Sequence, residues 1–339
     1  MTNNSKRSST LDIIRGLSAI LIILFHFTFA YNERPSSTGL YQTDWGWSVW
    51  WGYAAVATFF MLSGFLTGPS LVNRKTTPGR FIKKKFLRFY PAYWVAMTVT
   101  TIVLVCFYRE EAVSLTQYAA NLTMVSQLFR VPFVDGAYWS MQCELVFCLI
   151  CAGLMCIKRP QNLSRVLFIW LILAIALSFT TDMKATRLFR IITICSYCHD
   201  FIAGIVLRRA ALNSTLSTSE TWLLILCFIN SVVWHGLFTP STIFFVITAT
   251  LLFFVRRIDK VIPSSNRVIA VIIWIASISY PLYLVHEMVG FTIIRHLQWN
   301  GITHPVSILI PIAAALVLAW IIHAVVEKKI LRRYSEKNP

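Results

Sequence analysis

Apolar runs of about 20 residues recur along the whole of this 339-residue chain, and no other feature narrows its fold so far. A helix of that length crosses the hydrocarbon core of a bilayer. Only helices and closed barrels satisfy their backbone groups in lipid, and the alternating pattern of barrel strands is absent. Charged residues make up 13% of the chain and hydrophobic ones 57%, with mean hydropathy +0.65; a soluble protein carries roughly a quarter charged residues. The sequence therefore reads as an all-α polytopic membrane protein of about ten transmembrane helices. The expected spans are 11–30, 48–69, 89–107, 137–157, 165–181, 190–207, 220–236, 239–255, 268–291 and 304–326. Lys6 and Arg7 ahead of the first apolar run resemble a signal peptide, but "FTFAYNERP" is a poor cleavage site, so the first span is expected to be retained. One transmembrane domain over residues 1–339, with no fused soluble domain, is the expectation.

The net charge is +17. Its distribution argues against a nucleic-acid partner. Alternate loops collect 24 of the 31 Lys and Arg residues if both termini are cytoplasmic. That is the positive-inside pattern, and it implies contact with anionic lipid headgroups. Eight cysteines fall almost wholly inside spans, so no disulfide framework is expected. Cys148/Cys151 and Cys195/Cys198 each form C-x-x-C, but cysteine within a span usually behaves as a small apolar residue. No metal site is expected.

Ionisable residues at membrane depth are costly and mark function by default. In "LDIIRGLSAILIILFHF" (Leu11–Phe27), Arg15 and His26 are eleven residues apart, 20° beyond three full helical turns at 100° per residue. They share one face, about 16 Å apart along the axis. Arg15 also suits a snorkelling anchor, and His26 an interfacial hydrogen-bonded imidazole. Three acids look intramembrane: Glu144, Asp200 and Glu287. Glu144 needs a partner or a proton; it suits an acid that orients an imidazole or one that pins helices together. The His199–Asp200 pair reads as packing. His286 and Glu287 approach the same face of the membrane as His26. Arg80, Lys84 and Arg88 form an i, i+4, i+8 stripe, which fits phosphate binding and equally a cytoplasmic loop beside anionic lipid. Two long exterior loops, about 31–47 and 108–136, are candidates to line an acceptor site.

Five segments in order then resemble the acyltransferase-3 family of integral membrane acyltransferases. "LDIIRGLSAILIILFHF" is similar to its opening Arg…His helix and "TFFMLSGFLTG" to its second span. "KKKFLRFYPAYW" resembles the basic entry to its third span, "YWSMQCELVF" its Trp-Ser…Glu segment and "SISYPLYLVHEMV" its late Tyr-x-x-His segment. The resemblance implies transfer of an acyl group, usually acetyl from cytoplasmic acetyl-CoA, to a hydroxyl of a cell-envelope glycan such as O-antigen at the outer face of the bacterial inner membrane. It carries over His26, Glu144 and Arg15 as catalytic positions and, with the stripe, Arg80, Lys84, Lys85 and Arg88 as donor-binding ones. It points to His286, Trp139 and Tyr283 for substrate. The family often has Arg-x-x-Arg where this chain has Lys85-Phe-Leu-Arg88, which keeps the charge but loses bidentate geometry.

Acyl transfer needs a base, charge stabilisation and a grip on the donor. His26 is the expected base or transient acyl acceptor, with Glu144 orienting it as a carboxylate orients the histidine of a Ser-His-Asp site. The rival readings are a proton-coupled secondary transporter, which the same ionisable residues suit, and a non-catalytic membrane scaffold. No internal repeat of the kind common in transporters is seen.

Overall fold

The computed structural model describes residues 8–33, 47–73, 75–156, 162–213, 215–263, 266–330 and 332. Residues 34–46, most of the first exterior loop, lie outside them. Among the described residues the chain forms thirteen α-helices and no strand. In chain order these are α1 Ser9–Phe25, α2 Ala55–Val72, α3 Pro78–Phe107, α4 Leu115–Asn121, α5 Tyr138–Cys156, α6 Leu163–Ser178 and α7 Met183–Thr193. There follow α8 Cys198–Asn213, α9 Thr218–His235, α10 Pro240–Phe253, α11 Val255–Val261, α12 Arg267–Trp299 and α13 Leu309–Ile322.

The chain is an all-α polytopic membrane protein. Seven helical segments are long and apolar enough to cross a bilayer, or eight if α10 and α11, bent by 71°, count as one span. The remaining expected spans correspond to helices that fall short. Helix α6 has only 16 residues, and α9 interrupts its apolar run with Asn230 and ends on His235. Exposed Ile102, Ile169 and Val317 are the lipid-facing kind of surface that such helices carry.

The helix starts are written in the sequence. Thr77 accepts the N–H of Arg80 at 3.3 Å with Pro78 in the first turn of α3. Ser217 and Glu220 form a reciprocal capping box on α9, and Thr239 precedes Pro240 at the start of α10. Each satisfies amides that a helix start leaves without a partner.

The described residues divide into two compact units. The first comprises residues 8–18, 54–76 and 153–277. Its centre is the pairing of α2 with α8. A Cβ on Gly64 would run into the Phe201 carbonyl, and one on Gly204 into the Met61 carbonyl. Small residues thus let the two backbones touch, which is how helices gain packing energy where lipid is as apolar as protein. Thr10 caps the start of α1 onto Asp259, its N–H and hydroxyl both donating at 2.8 and 2.6 Å.

The second unit comprises residues 19–53, 77–152 and the chain from 278 onward. Tyrosine hydroxyls tie its helices together. Tyr138 donates to the Leu284 carbonyl at 3.0 Å and Tyr280 to the Phe89 carbonyl at 2.8 Å. Tyr93 donates to the Asn121 carbonyl at 2.9 Å. Asn121 in turn donates to the Pro132 carbonyl and accepts the Val134 N–H. The second long exterior segment is thereby anchored on α4, just ahead of the stretch that leads into α5.

Candidate active site

The site grows from the end of α1. The turn that follows Phe25, His26–Ala30, is π-helical, with the Tyr31 N–H bonding back to the His26 carbonyl at 2.9 Å. Single π turns inside α-helices occur often at functional sites. His26 Nδ1 lies 2.9 Å from the Ile22 carbonyl and 3.1 Å from His286 Nε2. His286, fully buried on α12, has its Nδ1 2.8 Å from the Tyr283 carbonyl. The two rings stand nearly perpendicular, at 83°, with centroids 4.7 Å apart.

These distances assign the tautomers. A carbonyl only accepts, so His286 Nδ1 carries its proton and donates to Tyr283. Neutral His286 then offers a lone pair at Nε2. His26 must fill that lone pair and the Ile22 carbonyl from its own Nδ1–H. One nitrogen of His26 remains, Nε2, and its lone pair is the basic centre of the cluster. Glu287 Oε2 stands 3.3 Å from it. A carboxylate there stabilises the imidazolium that forms when Nε2 takes a proton.

Glu144 was the carboxylate expected beside His26. The structure places Glu287 there instead, and the reason is local. Glu287 follows His286 in the chain, so the same turn of α12 that docks an imidazole on His26 Nδ1 delivers a carboxylate to Nε2. Glu144, in the second turn of α5, meets Lys85 from α3: Nζ and Oε1 are 3.2 Å apart, with side-chain exposures of 20% and 10%. Lys85 Nζ also sits 5.7 and 5.4 Å from the ring centroids of Phe81 and Phe89. The Cys148 thiol faces the same Glu144 oxygen at 3.8 Å.

Of the other expected positions, Arg80, Lys84 and Arg88 are exposed along one side of α3, and Lys85 turns inward from them. Arg15 belongs to the first unit, where its guanidinium lies 3.5 Å from Asp12. Tyr283 is buried, and its hydroxyl is already used: it accepts from Ser140 at 2.7 Å and donates to the Ala137 carbonyl at 2.9 Å. It holds the entry to α5. Trp139 is half-buried in that same first turn.

Asp135, which nothing in the sequence singled out, is buried immediately before α5. Its Oδ1 accepts the Ala137 N–H at 2.9 Å, and its Oδ2 accepts the Met288 N–H at 3.1 Å. Burial, and then the neighbouring Glu287, hold the Asp135 carboxyl well above the usual carboxylate range.

The first unit has its own buried polar group. Asn230 donates to the Cys195 carbonyl at 3.2 Å and to His199 Nδ1 at 3.0 Å, which leaves the His199 proton on Nε2, 3.5 Å from Asp200 Oδ2. Neither Asp200 oxygen has a hydrogen-bond partner within range among the described residues. A bare carboxylate so placed costs several kcal/mol, so a neutral side chain belongs there. Asp200→Asn is expected to leave the thermal midpoint of the detergent-solubilised protein unchanged or raised. A loss of about 3–5 kcal/mol, the size of a broken buried ion pair, would show Asp200 to be charged and paired.

Among the described residues, no group of three or more His, Cys, Asp or Glu side chains is placed to hold a metal ion. Comparison with known proteins gives a consistent picture. The family model for an acyltransferase domain (Acyl_transf_3) matches residues 9–324. Protein 2 in the picA locus of Rhizobium radiobacter is 33% identical over 107 residues, 30% of this chain and 49% of that protein. The exopolysaccharide production protein ExoZ of Rhizobium meliloti (strain 1021) is 29% identical over 133 residues, covering 37% and 41%. Nodulation protein 10 of Rhizobium leguminosarum bv. viciae is 24% identical over 166 residues, covering 43% and 44%. The matches span less than half the length of each of these relatives. No solved structure matches the chain.

Proposed function

The chain belongs to the acyltransferase-3 family, and on that premise we propose that it is an O-acyltransferase. It moves an acetyl group from cytoplasmic acetyl-CoA to a hydroxyl of a cell-envelope glycan, from the inner membrane of a bacterium and with both termini in the cytoplasm. The observation that carries this reading is the tautomer-locked His26, whose free Nε2 faces Glu287 at 3.3 Å. The naming of one relative for exopolysaccharide production supports a polysaccharide acceptor; O-antigen is the leading class, whether free or lipid-linked.

In this mechanism the acceptor O–H gives its proton to His26 Nε2 as its oxygen bonds to the thioester carbon. The carbon–sulfur bond then breaks, and the imidazolium returns the proton to the leaving thiolate, so CoA departs as the thiol. His286 and the Ile22 carbonyl hold the ring in the reactive tautomer, and Glu287 stabilises the charged ring. Such general base catalysis contributes about 10²–10⁴-fold. Arg80, Lys84 and Arg88 supply charge for the donor's phosphates, and Glu144 fixes Lys85 at the base of that stripe. The direct test is reconstitution with radiolabelled acetyl-CoA and an envelope polysaccharide fraction. Label in the glycan is the expected result; accumulation of an unmodified solute inside the vesicles would favour a transporter.

The donor grip has its own test. Arg80→Ala with Arg88→Ala is expected to raise KM for acetyl-CoA more than it lowers kcat, the pattern of lost uniform binding. An unchanged KM would leave the stripe with orientation and lipid contact alone.

A further inference from the structure

We propose that Gly136 is a positioning residue of the active site: its bare Cα is the seat on which the Glu287 carboxyl rests, and that seat sets the carboxyl in front of His26. This rests on the reading of His26 as the base. Gly136 acts through Glu287.

The contact is one of shape. A Cβ built on Gly136 would run into Glu287 Oε1 and would stand 3.0 Å from both the carboxyl carbon and Oε2. The three atoms nearest to it all belong to this one carboxyl group. A methyl there presses on the whole head, including the oxygen that lies 3.3 Å from His26 Nε2. Nothing else at the position calls for glycine. Gly136 is exposed, in the turn just before α5. Its φ lies outside the left-handed region, so the backbone itself accepts an L-residue.

The residues around Gly136 hold the seat in register with α12. Asp135 accepts the Ala137 N–H at 2.9 Å on one oxygen and the Met288 N–H at 3.1 Å on the other. Tyr138 donates to the Leu284 carbonyl at 3.0 Å, and Tyr283 donates to the Ala137 carbonyl at 2.9 Å. Leu284 and Met288 are four residues apart, so this carbonyl and this amide mark the two ends of one helical rung. The 135–138 turn therefore grips α12 on either side of His286 and Glu287. Held from both ends, Gly136 cannot back away from a side chain placed on it. The carboxyl, at the far end of a flexible side chain, is the part that yields. An added methyl thus displaces the acid from His26 while the fold stays as it is.

The test is a double-mutant cycle on the full-length protein in proteoliposomes, with radiolabelled acetyl-CoA and an envelope polysaccharide fraction. Gly136→Ala is expected to lower kcat for glycan acetylation by about tenfold, the effect of moving one opposite charge away from an imidazolium. KM for acetyl-CoA is expected to stay within about twofold of wild type, since donor binding is untouched. The thermal midpoint is expected to be unchanged or raised, because alanine restricts the unfolded chain. Glu287→Ala removes the head that the methyl would strike. In that background Gly136→Ala is expected to cost less than about twofold, so that the two losses do not multiply. A tenfold loss that persists without the Glu287 carboxyl would assign Gly136 a backbone role and overturn the proposal. Wild-type kcat in Gly136→Ala would overturn it as well. Should Gly136→Ala fail to fold, the double variant decides: folding regained with Glu287→Ala supports the clash, and continued failure overturns it. An active wild type with an inert His26→Ala keeps the functional reading intact whichever way the cycle falls, so the two can fail separately.

Discussion

His26→Ala is expected to lower glycan acetylation by about 10²–10⁴-fold, the usual contribution of a general base, while expression and membrane insertion stay at wild-type level. The residue has no second source for its role. Its Nε2 is the one nitrogen of the imidazole pair left without a backbone carbonyl or a ring partner. Quantifying acetyl groups on purified glycan from cells carrying each variant checks this, and a loss below tenfold would remove His26 from the chemistry. Glu287→Gln is expected to be less severe, because it removes charge stabilisation and leaves the base. The double variant is expected to be little worse than His26→Ala alone, since residues acting as one unit are strongly non-additive. Multiplied losses would mean that Glu287 works apart from His26.

The second large effect concerns stability. Lys85 and Glu144 form a part-buried ion pair; removing one member leaves an uncompensated charge, which in a fully buried pair costs about 3–5 kcal/mol and here, with Lys85 at 20% exposure, less than that. Glu144→Gln and Lys85→Met are each expected to lower the thermal midpoint of the detergent-solubilised protein. The double variant is expected to recover most of the loss, because two neutral residues need no pairing. Midpoints that simply add would show that the two side chains do not stabilise one another. Activity would divide differently from stability: the recovered double variant keeps His26 and Glu287 in place but lacks the inward cation of the basic segment.

The helices were legible because lipid imposes a single rule on the chain, that every buried amide be satisfied within its own segment. Length and hydropathy then find them, as with α1, α3 and α12. The rule weakens where a helix carries polar groups for other reasons, which is why α9, with Asn230 and His235, reads as a span in sequence yet falls short by composition. The site was half legible. His26, Arg15, His286 and Glu144 stand out because ionisable residues in apolar runs are rare. Which acid meets which base did not follow from rarity. Glu144 and Glu287 look alike in sequence, and the choice depends on how α3, α5 and α12 turn within their unit. Asp135 gave no signal at all: an acid before a glycine reads as an ordinary turn, and its importance lies in the two amides and the second carboxyl that the fold brings to it.

The π turn at His26–Ala30 has a bearing on how relatives of this chain are aligned. A π turn holds one residue more than the α turn it replaces, so it amounts to a one-residue insertion accommodated without breaking the helix. Because the insertion begins at His26, the spacing from Arg15 to His26 is counted entirely in α-helical turns and is preserved with or without it. The spacing from His26 to Tyr31, whose hydroxyl donates to Gln298 at 2.7 Å, is not. A homologue lacking the extra residue would close the same stretch as an ordinary α-helical turn, keeping its imidazole in place and every later side chain facing the same way, one position earlier in number. An alignment of such sequences therefore needs freedom to open a single gap between positions 26 and 31, and none upstream.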